Sequence, residues 1–190
     1  MSMARRIFKR SKKSNSSAGK IAHRITEVDG IKFHSAMESK RYQDLKKLKA
    51  DGIIKDFELQ PKFLLQEKFI VVDGQVIKGS HEDFNKLKRK TKAKTIASIE
   101  YIADFKITYA DGSVVIEDTK GLSTPEFELK KKMFMLMYPE LPLSIIIDDE
   151  KGLIAKNEWV DFYEYRAKER ALKREKNKAK KLKEMGKGEN

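Results

Sequence analysis

Residues 101–121 read YIADFKITYADGSVVIEDTKG, from Tyr101 to Gly121. Two β-rich runs, 96–109 and 113–120, flank Asp111-Gly112, a strong hairpin signal because both residue types tolerate the positive φ of a tight turn. Asp104 falls in the apolar part of the first run, and Asp118-Thr119-Lys120 closes the second after Val114, Val115 and Ile116. Side chains alternate along a strand, so Asp118 and Lys120 point one way and Thr119 the other. A three-residue loop, Ala110 to Gly112, pairs positions whose numbers add to 222 and sets Asp104 opposite Asp118 on one face, with Cβ atoms about 5 Å apart. A two-residue loop at Asp111-Gly112 sets Phe105 there instead. Buried carboxylates are costly unless paired or metal-bound. Phosphodiester hydrolysis by a hard cation calls for two or three converging carboxylates and a group that orients or activates water. The plainer alternative places both acids at solvated strand ends, with Asp118 paired to Lys120 or Lys106.

Working outward, residues 25–34 (ITEVDGIKFH) predict a short hairpin around Asp29-Gly30. Ser35 caps a helix to about Ala50, ended by Asp51-Gly52, with Met37, Tyr42, Leu45 and Leu48 as its apolar side. Glu38 lies within about 40° of Tyr42 and Leu45 at 100° per residue and faces inward, a candidate third carboxylate. Ser35-x-x-Glu38 is equally a capping box, with the carboxylate on the Ser35 amide. Residues 57–65 (FELQPKFLL) alternate as one strand, continued through FIVV to Asp73-Gly74, with Pro61 at an edge or bulge. Gln60 and Glu117 are weaker candidates for the site: Gln60 lies on the polar face of its strand and Glu117 faces opposite to Asp118, and each reads more readily as a solvated surface residue. The lysine-rich stretch 78–95 reads as a long loop. Ser123 and Glu126 form a capping box, with Pro125 in the first turn of a helix to about Tyr138. Residues 141–147 (LPLSIII) read as a buried strand. A final helix starts near Asn157 with Trp159, Phe162 and Tyr163, and after Leu172 it has no apolar stripe left to bury.

The charge is strongly segregated. Of a net +13, residues 1–24 carry +8 and residues 166–190 carry +7, leaving about −2 between them. A near-neutral globule with two cationic arms suits a polyanionic partner, nucleic acid first and an anionic membrane surface second. At 190 residues the chain holds one core plus appendages. The division is a disordered basic arm over 1–22, a core over 23–155 and a basic helical extension over 156–190. With no cysteine and three scattered histidines, thiolate zinc sites are excluded, and any metal is held by oxygen, which points to Mg2+, with Mn2+ as its substitute. No apolar run is long enough to span a membrane. The basic, Ser-rich start lacks the apolar segment of a secretory signal, so the expected location is intracellular.

Ser35-x-x-Glu38, Asp104 and Asp118-Thr119-Lys120, in the order αβββαβ, resemble the PD-(D/E)XK nuclease superfamily. The run GIKFHSAMESKRYQDLKKL, then LQPKF, YIADF and VVIEDTKG, resembles more narrowly a family of uncharacterised phage and prophage proteins related to Holliday-junction-resolving endonucleases. The likeness covers about residues 28–148, with Ala103 where the superfamily name has proline. It implies an α/β, restriction-endonuclease-like αβββαβ core with a mixed central sheet, here followed by a long basic C-terminal helix. It further implies Asp104, Asp118, Glu38 and the Thr119 carbonyl as metal ligands, with Lys120 orienting water or stabilising charge at the phosphate. The implied function is a Mg2+-dependent, structure-specific DNA endonuclease. It acts as a homodimer on branched DNA in the cytoplasm of a bacterial host, with the gene carried by phage or prophage. A flap or replication-associated nuclease, and a non-catalytic DNA-binding protein with the same fold, are the alternatives. Candidate phosphate contacts are Lys86, Lys88, Arg89, Lys90, Lys92 and Lys94, joined by Lys130 and Lys131 on the second helix.

Overall fold

The structure, a computed structural model of the chain, describes residues 25–79, 82, 85–86 and 92–185. The arm over 1–22, together with Lys88, Arg89 and Lys90, lies outside the described residues. No described helix is long and apolar enough to cross a membrane.

Asp29 (φ 53°) and Gly30 (φ 76°) take the two left-handed positions of a tight turn joining β1 (Thr26–Val28) to β2 (Ile31–Phe33). Ser35 then caps α1 (Ala36–Ala50), its hydroxyl accepting the Glu38 amide proton. The helix buries Tyr42 and Leu45. The expected single strand over 57–65 is three pieces: β3 (Ile54–Leu59), β4 (Lys62–Gln66) and β5 (Phe69–Val72). The first break comes at Gln60, whose φ of 50° is left-handed and ends an extended run. A turn at Asp73-Gly74 leads to β6 (Gln75–Ile77). Part of the expected long loop is strand, since Lys94–Ile96 form β7 and pair with β5. There follow β8 (Ile99–Ile102), β9 (Phe105–Tyr109), β10 (Val114–Thr119), α2 (Pro125–Met137), β11 (Leu143–Asp148), β12 (Trp159–Asp161) and α3 (Phe162–Met185).

Thr124, not Ser123, caps α2. A residue before proline is held extended (Thr124 φ −102°, ψ 155°), the conformation an N-cap needs, and Pro125 fills the first helical position. The final helix begins five residues later than expected. Asn157 is left-handed (φ 63°), Trp159–Asp161 add a strand to the sheet edge, and Asp161 accepts the Glu164 amide proton as the cap.

The central sheet is mixed, ordered β12-β11-β10-β9-β3, with β10 and β11 parallel and the other pairs antiparallel. Setting β4–β8 aside, the order from α1 is helix, strand, strand, strand, helix, strand, strand, one edge strand (β12) more than expected. Its faces are told apart by register. Phe105 and Ile107 pair with Glu117 and Val115. Phe105 and Ile107 pack with Leu45 of α1, while Ile116 packs with Phe127 and Phe134 of α2. The helices therefore cover opposite faces.

The strands β3-β4 and β9-β8 form one antiparallel ribbon whose paired residue numbers add to 164 on both sides of the break: Leu59 with Phe105, Lys62 with Ile102, Phe63 with Tyr101. Backbone bonds bridge the break itself, from Gln60 N to Asp104 O (2.9 Å) and from Ala103 N to Pro61 O (3.2 Å). Register is kept but orientation is not. Phe57, Leu59, Phe105 and Ile107 pack on the α1 side, whereas Phe63, Leu65, Tyr101 and Ala103 pack on the α2 side. Residues of one parity should share one face, so the ribbon rolls over at Gln60-Pro61 and Ala103-Asp104 and passes its inner row from one core to the other. β12 and the first turn of α3 belong to the α2-side core, where Phe162 and Tyr165 are buried.

Gln60→Gly is expected to change stability by less than about 1 kcal/mol, since glycine adopts φ > 0 freely. Gln60→Val should cost about 1–2 kcal/mol, because a β-branched residue resists that region. Phe105→Ala, which empties a site with no solvent exposure, should cost about 3–5 kcal/mol. Urea unfolding of the three variants gives the ranking.

Candidate functional site

The roll of the ribbon brings Gln60 and Asp104 side by side at the level where β10 ends and α1 begins. The three-residue hairpin is realised: Val114 pairs with Thr108, Glu117 with Phe105, and the Tyr109 amide donates to Ser113 O at 2.8 Å. The ladder stops at Phe105, one step short of Asp104. Asp104 does not project as a free strand residue. Its Oδ2 accepts both the Thr119 amide and the Thr119 hydroxyl, each at 2.7 Å. Thr119 thus fixes Asp104 against the end of β10.

Asp118 faces the α2 side and is 1% exposed. The buried Tyr101 hydroxyl donates to its Oδ2 at 2.8 Å. The Lys120 ammonium lies 2.7 Å from its Oδ1. Oδ1 is buried, and the lysine ammonium is the charge set against it. Lys120 also sits over the Phe127 ring, 4.5 Å from its centroid, which combines an ion contact with a cation–π contact.

Glu38 is 5% exposed, and its carboxylate does not make the expected bond to the Ser35 amide. Its Oε2 accepts the His34 amide proton at 3.2 Å, one residue before the Ser35 amide that a capping box uses, and its Oε1 accepts from Gln60 Nε2 at 3.3 Å. Gln60 is exposed, as expected, and its amide also reaches the Glu38 carboxylate. Its signal in the sequence is only the neighbouring Pro61.

The acids sense one another. Burial, then the charge of Asp104, raises the Glu38 carboxyl. The same two causes push Asp118 up to about 6, against the pull of Lys120 and Tyr101. The Tyr101 hydroxyl is raised by burial and by the Asp118 charge. Glu38, Asp104, Asp118 and Lys120 thus form one electrostatic unit.

Glu117, expected on the surface, is buried at 4% exposure. The Arg41 guanidinium grips it with two bonds, 2.6 and 2.8 Å. The central strand β10 is covered on both faces, so alternation carries no inside-outside signal there. Lys40 bonds Asp148, and both Lys40 and Arg41 lie over Trp159, at 5.9 and 5.4 Å from its centroid. Lys130 and Lys131 are engaged within α2 by Glu126 (3.0 Å) and Glu128 (3.1 Å), and Lys131 also bonds the Tyr163 hydroxyl at 2.6 Å. Lys86, Lys92 and Lys94 are exposed, and Lys94 lies in β7, beyond β4 and β8 and away from the acids.

Among the described residues, no three acidic or histidine side chains are gathered closely enough to hold a metal ion as they stand. The donor chemistry nonetheless suits a hard cation. The donors are carboxylate oxygens, and two of the carboxyls are raised, first by burial and then by the charge of Asp104.

Fold and site together define a mixed α/β protein with an acid-and-lysine cluster at the end of its central strand. Residues 18–152 match the family described as "Protein of unknown function (DUF1064)", and the chain belongs to that family. No curated protein and no solved structure matches the chain.

The raised Asp118 carboxyl makes a pH prediction. The folded state holds this proton more tightly than the unfolded state does, so the stabilisation is complete below about pH 4 and is lost as pH rises through about 6. Asp118→Asn is expected to flatten stability between pH 4 and 7 and to recover on the order of 2 kcal/mol at pH 7. Urea midpoints across that range, in the presence of a chelator, test both.

Proposed function

We propose that this protein is a metal-dependent DNA endonuclease whose centre is Glu38, Asp104, Asp118 and Lys120. One observation carries the reading: at the end of β10, Asp104 lies near enough to Glu38 and to the buried, Lys120-bound Asp118 to raise both of their carboxyls. Structural ion pairs neutralise their acids, as Arg41 does Glu117. Here three acids face one lysine, an imbalance that costs stability unless a cation offsets it.

Asp104, Asp118, Glu38 and the Thr119 carbonyl are the groups that would hold Mg2+ or Mn2+. Such an ion polarises a phosphoryl oxygen and lowers the pKa of bound water. The chain's own residues do the positioning. Tyr101 orients Asp118, Thr119 orients Asp104, and Gln60 orients Glu38. With Asp118 holding the ion, the Lys120 ammonium would be available to a phosphate oxygen. A branched DNA is the substrate class, cut by a homodimer because two opposed strands need two centres. The Lys120–Asp118 ion pair, which neutralises that acid within the chain, favours a second reading, a DNA-binding protein without catalysis.

Cleavage of linear, forked and four-way DNA with Mg2+, against a chelated control, decides between them. The nuclease reading expects Mg2+-dependent cutting that Asp104→Asn, Asp118→Asn and Lys120→Ala each abolish while DNA binding survives. Tyr101→Phe should weaken Mg2+ about 10–100-fold through its hold on a ligand, read by calorimetric titration. Full cutting by Asp118→Asn, or no cutting by the wild type with any metal, sinks the assignment.

A further inference from the structure

Helix α3 is two different objects in one. Its first turn is core: Phe162 and Tyr165 are buried at 3% exposure. Its remainder is free, with every residue from 170 to 184 solvent-exposed. Over residues 170–185 there are eight Lys or Arg and two Glu. Such a rod repels itself and has no core to repay it.

The charges are not scattered evenly. At 100° per residue, six of the ten basic residues from 166 to 185, Arg166, Arg170, Lys173, Arg174, Lys180 and Lys181, fall within an arc of about 120° that also holds Asn177 and Glu184, while Ala171, Leu172, Glu175, Ala179 and Leu182 occupy the far side with Lys168 as its one cation. The arc runs along about 22 Å of helix. Lys173, Arg174 and Lys181 have no ion pair among the described residues, and of the six only Arg166 and Lys180 have one, to Glu169 and Glu184. The root of the rod lies at the candidate site, because the Arg166 guanidinium also donates to the carbonyl of Gly121, the residue after Lys120.

We infer that the free part of α3 is a binding surface for the phosphate backbone of double-stranded nucleic acid, with the duplex running along the rod toward Lys120. A straight row of cations on a stiff helix matches a stiff, regularly charged partner. Single-strand binders add aromatic platforms on which bases stack, and residues 166–185 contain no aromatic. The binding claim stands apart from catalysis. Only the direction of the duplex rests on the nuclease reading.

The test uses the full chain with Arg170, Lys173, Arg174, Lys180 and Lys181 all changed to Gln, and a control in which the exposed Lys32, Lys55, Lys68, Lys132 and Lys156 are changed instead, with the same reduction of charge. Fluorescence anisotropy on a 20-base-pair duplex and on its single strand, in chelator and from 50 to 300 mM salt, reads affinity and its salt slope. Circular dichroism checks that the helix survives. In the rod variant, duplex affinity at 50 mM salt is expected to fall at least about tenfold, and the salt slope should flatten by about 0.9 for each phosphate no longer neutralised. The control should keep its slope. Equal slopes in rod variant and wild type, an equal fall in the control, or tighter binding to single strand than to duplex each overturns the inference. Because binding is read without metal, a wild type that never cuts DNA removes the nuclease reading and leaves this result standing. A rod variant that cuts but binds unchanged does the reverse.

Discussion

The rest of this fold hangs on one left-handed residue. Gln60 turns the β3-β4 ribbon over without shifting its pairing with β8-β9, so one row of side chains serves two cores. A residue outside its comfortable backbone region costs about 1–2 kcal/mol. That cost is met because both flanking rows, Phe57-Leu59 and Phe63-Leu65, are packed on their own sides. The same roll exposes Asp104 at the end of the β9 ladder, where it meets Thr119, and points the Gln60 amide at Glu38. Fold and candidate chemistry are thus one constraint seen from two directions.

Much of this is legible in the residues. Asp-Gly pairs mark the turns at 29–30 and 111–112, Ser35 marks the start of α1, and counting along the hairpin sets Asp104 one step beyond the Phe105–Glu117 pair. What escapes has physical reasons. Glutamine is an uncommon left-handed residue, so FELQPKFLL reads as unbroken alternation although its two halves face different helices. Glu117 lies in a strand covered on both faces, where period-two reasoning fails. Trp159 reads as the start of a helix because aromatic clusters suit either element, while the cap at Asp161 and the left-handed Asn157 are the better signals.

The charge arrangement separates stabilising acids from acids held ready for something else. Glu117 receives a guanidinium fork from Arg41 on the α1 face of β10. Asp149, inaccessible to solvent, takes the amide protons of Leu153, Ile154 and Ala155 and so ties down the turn before β12. Both are fully satisfied. Asp118, one residue from Glu117 but on the opposite face, has one phenol and one lysine contact and remains raised. Two neighbours on one strand therefore face different electrostatic environments, one neutralised by a guanidinium and one raised by burial and a neighbouring carboxylate.

The constant register through the roll also constrains how this family can change length. A single residue inserted in either strand between 56 and 64, or between 100 and 108, where the register is constant, slips half the ribbon by one place and turns every inward side chain beyond it outward. A matching insertion across the ladder restores the pairing but displaces Gln60 from Asp104. Relatives should therefore hold these two segments at fixed length and gather their insertions and deletions at the far end of the ribbon, between residues 67 and 98, where extra chain leaves both cores and the acid cluster undisturbed.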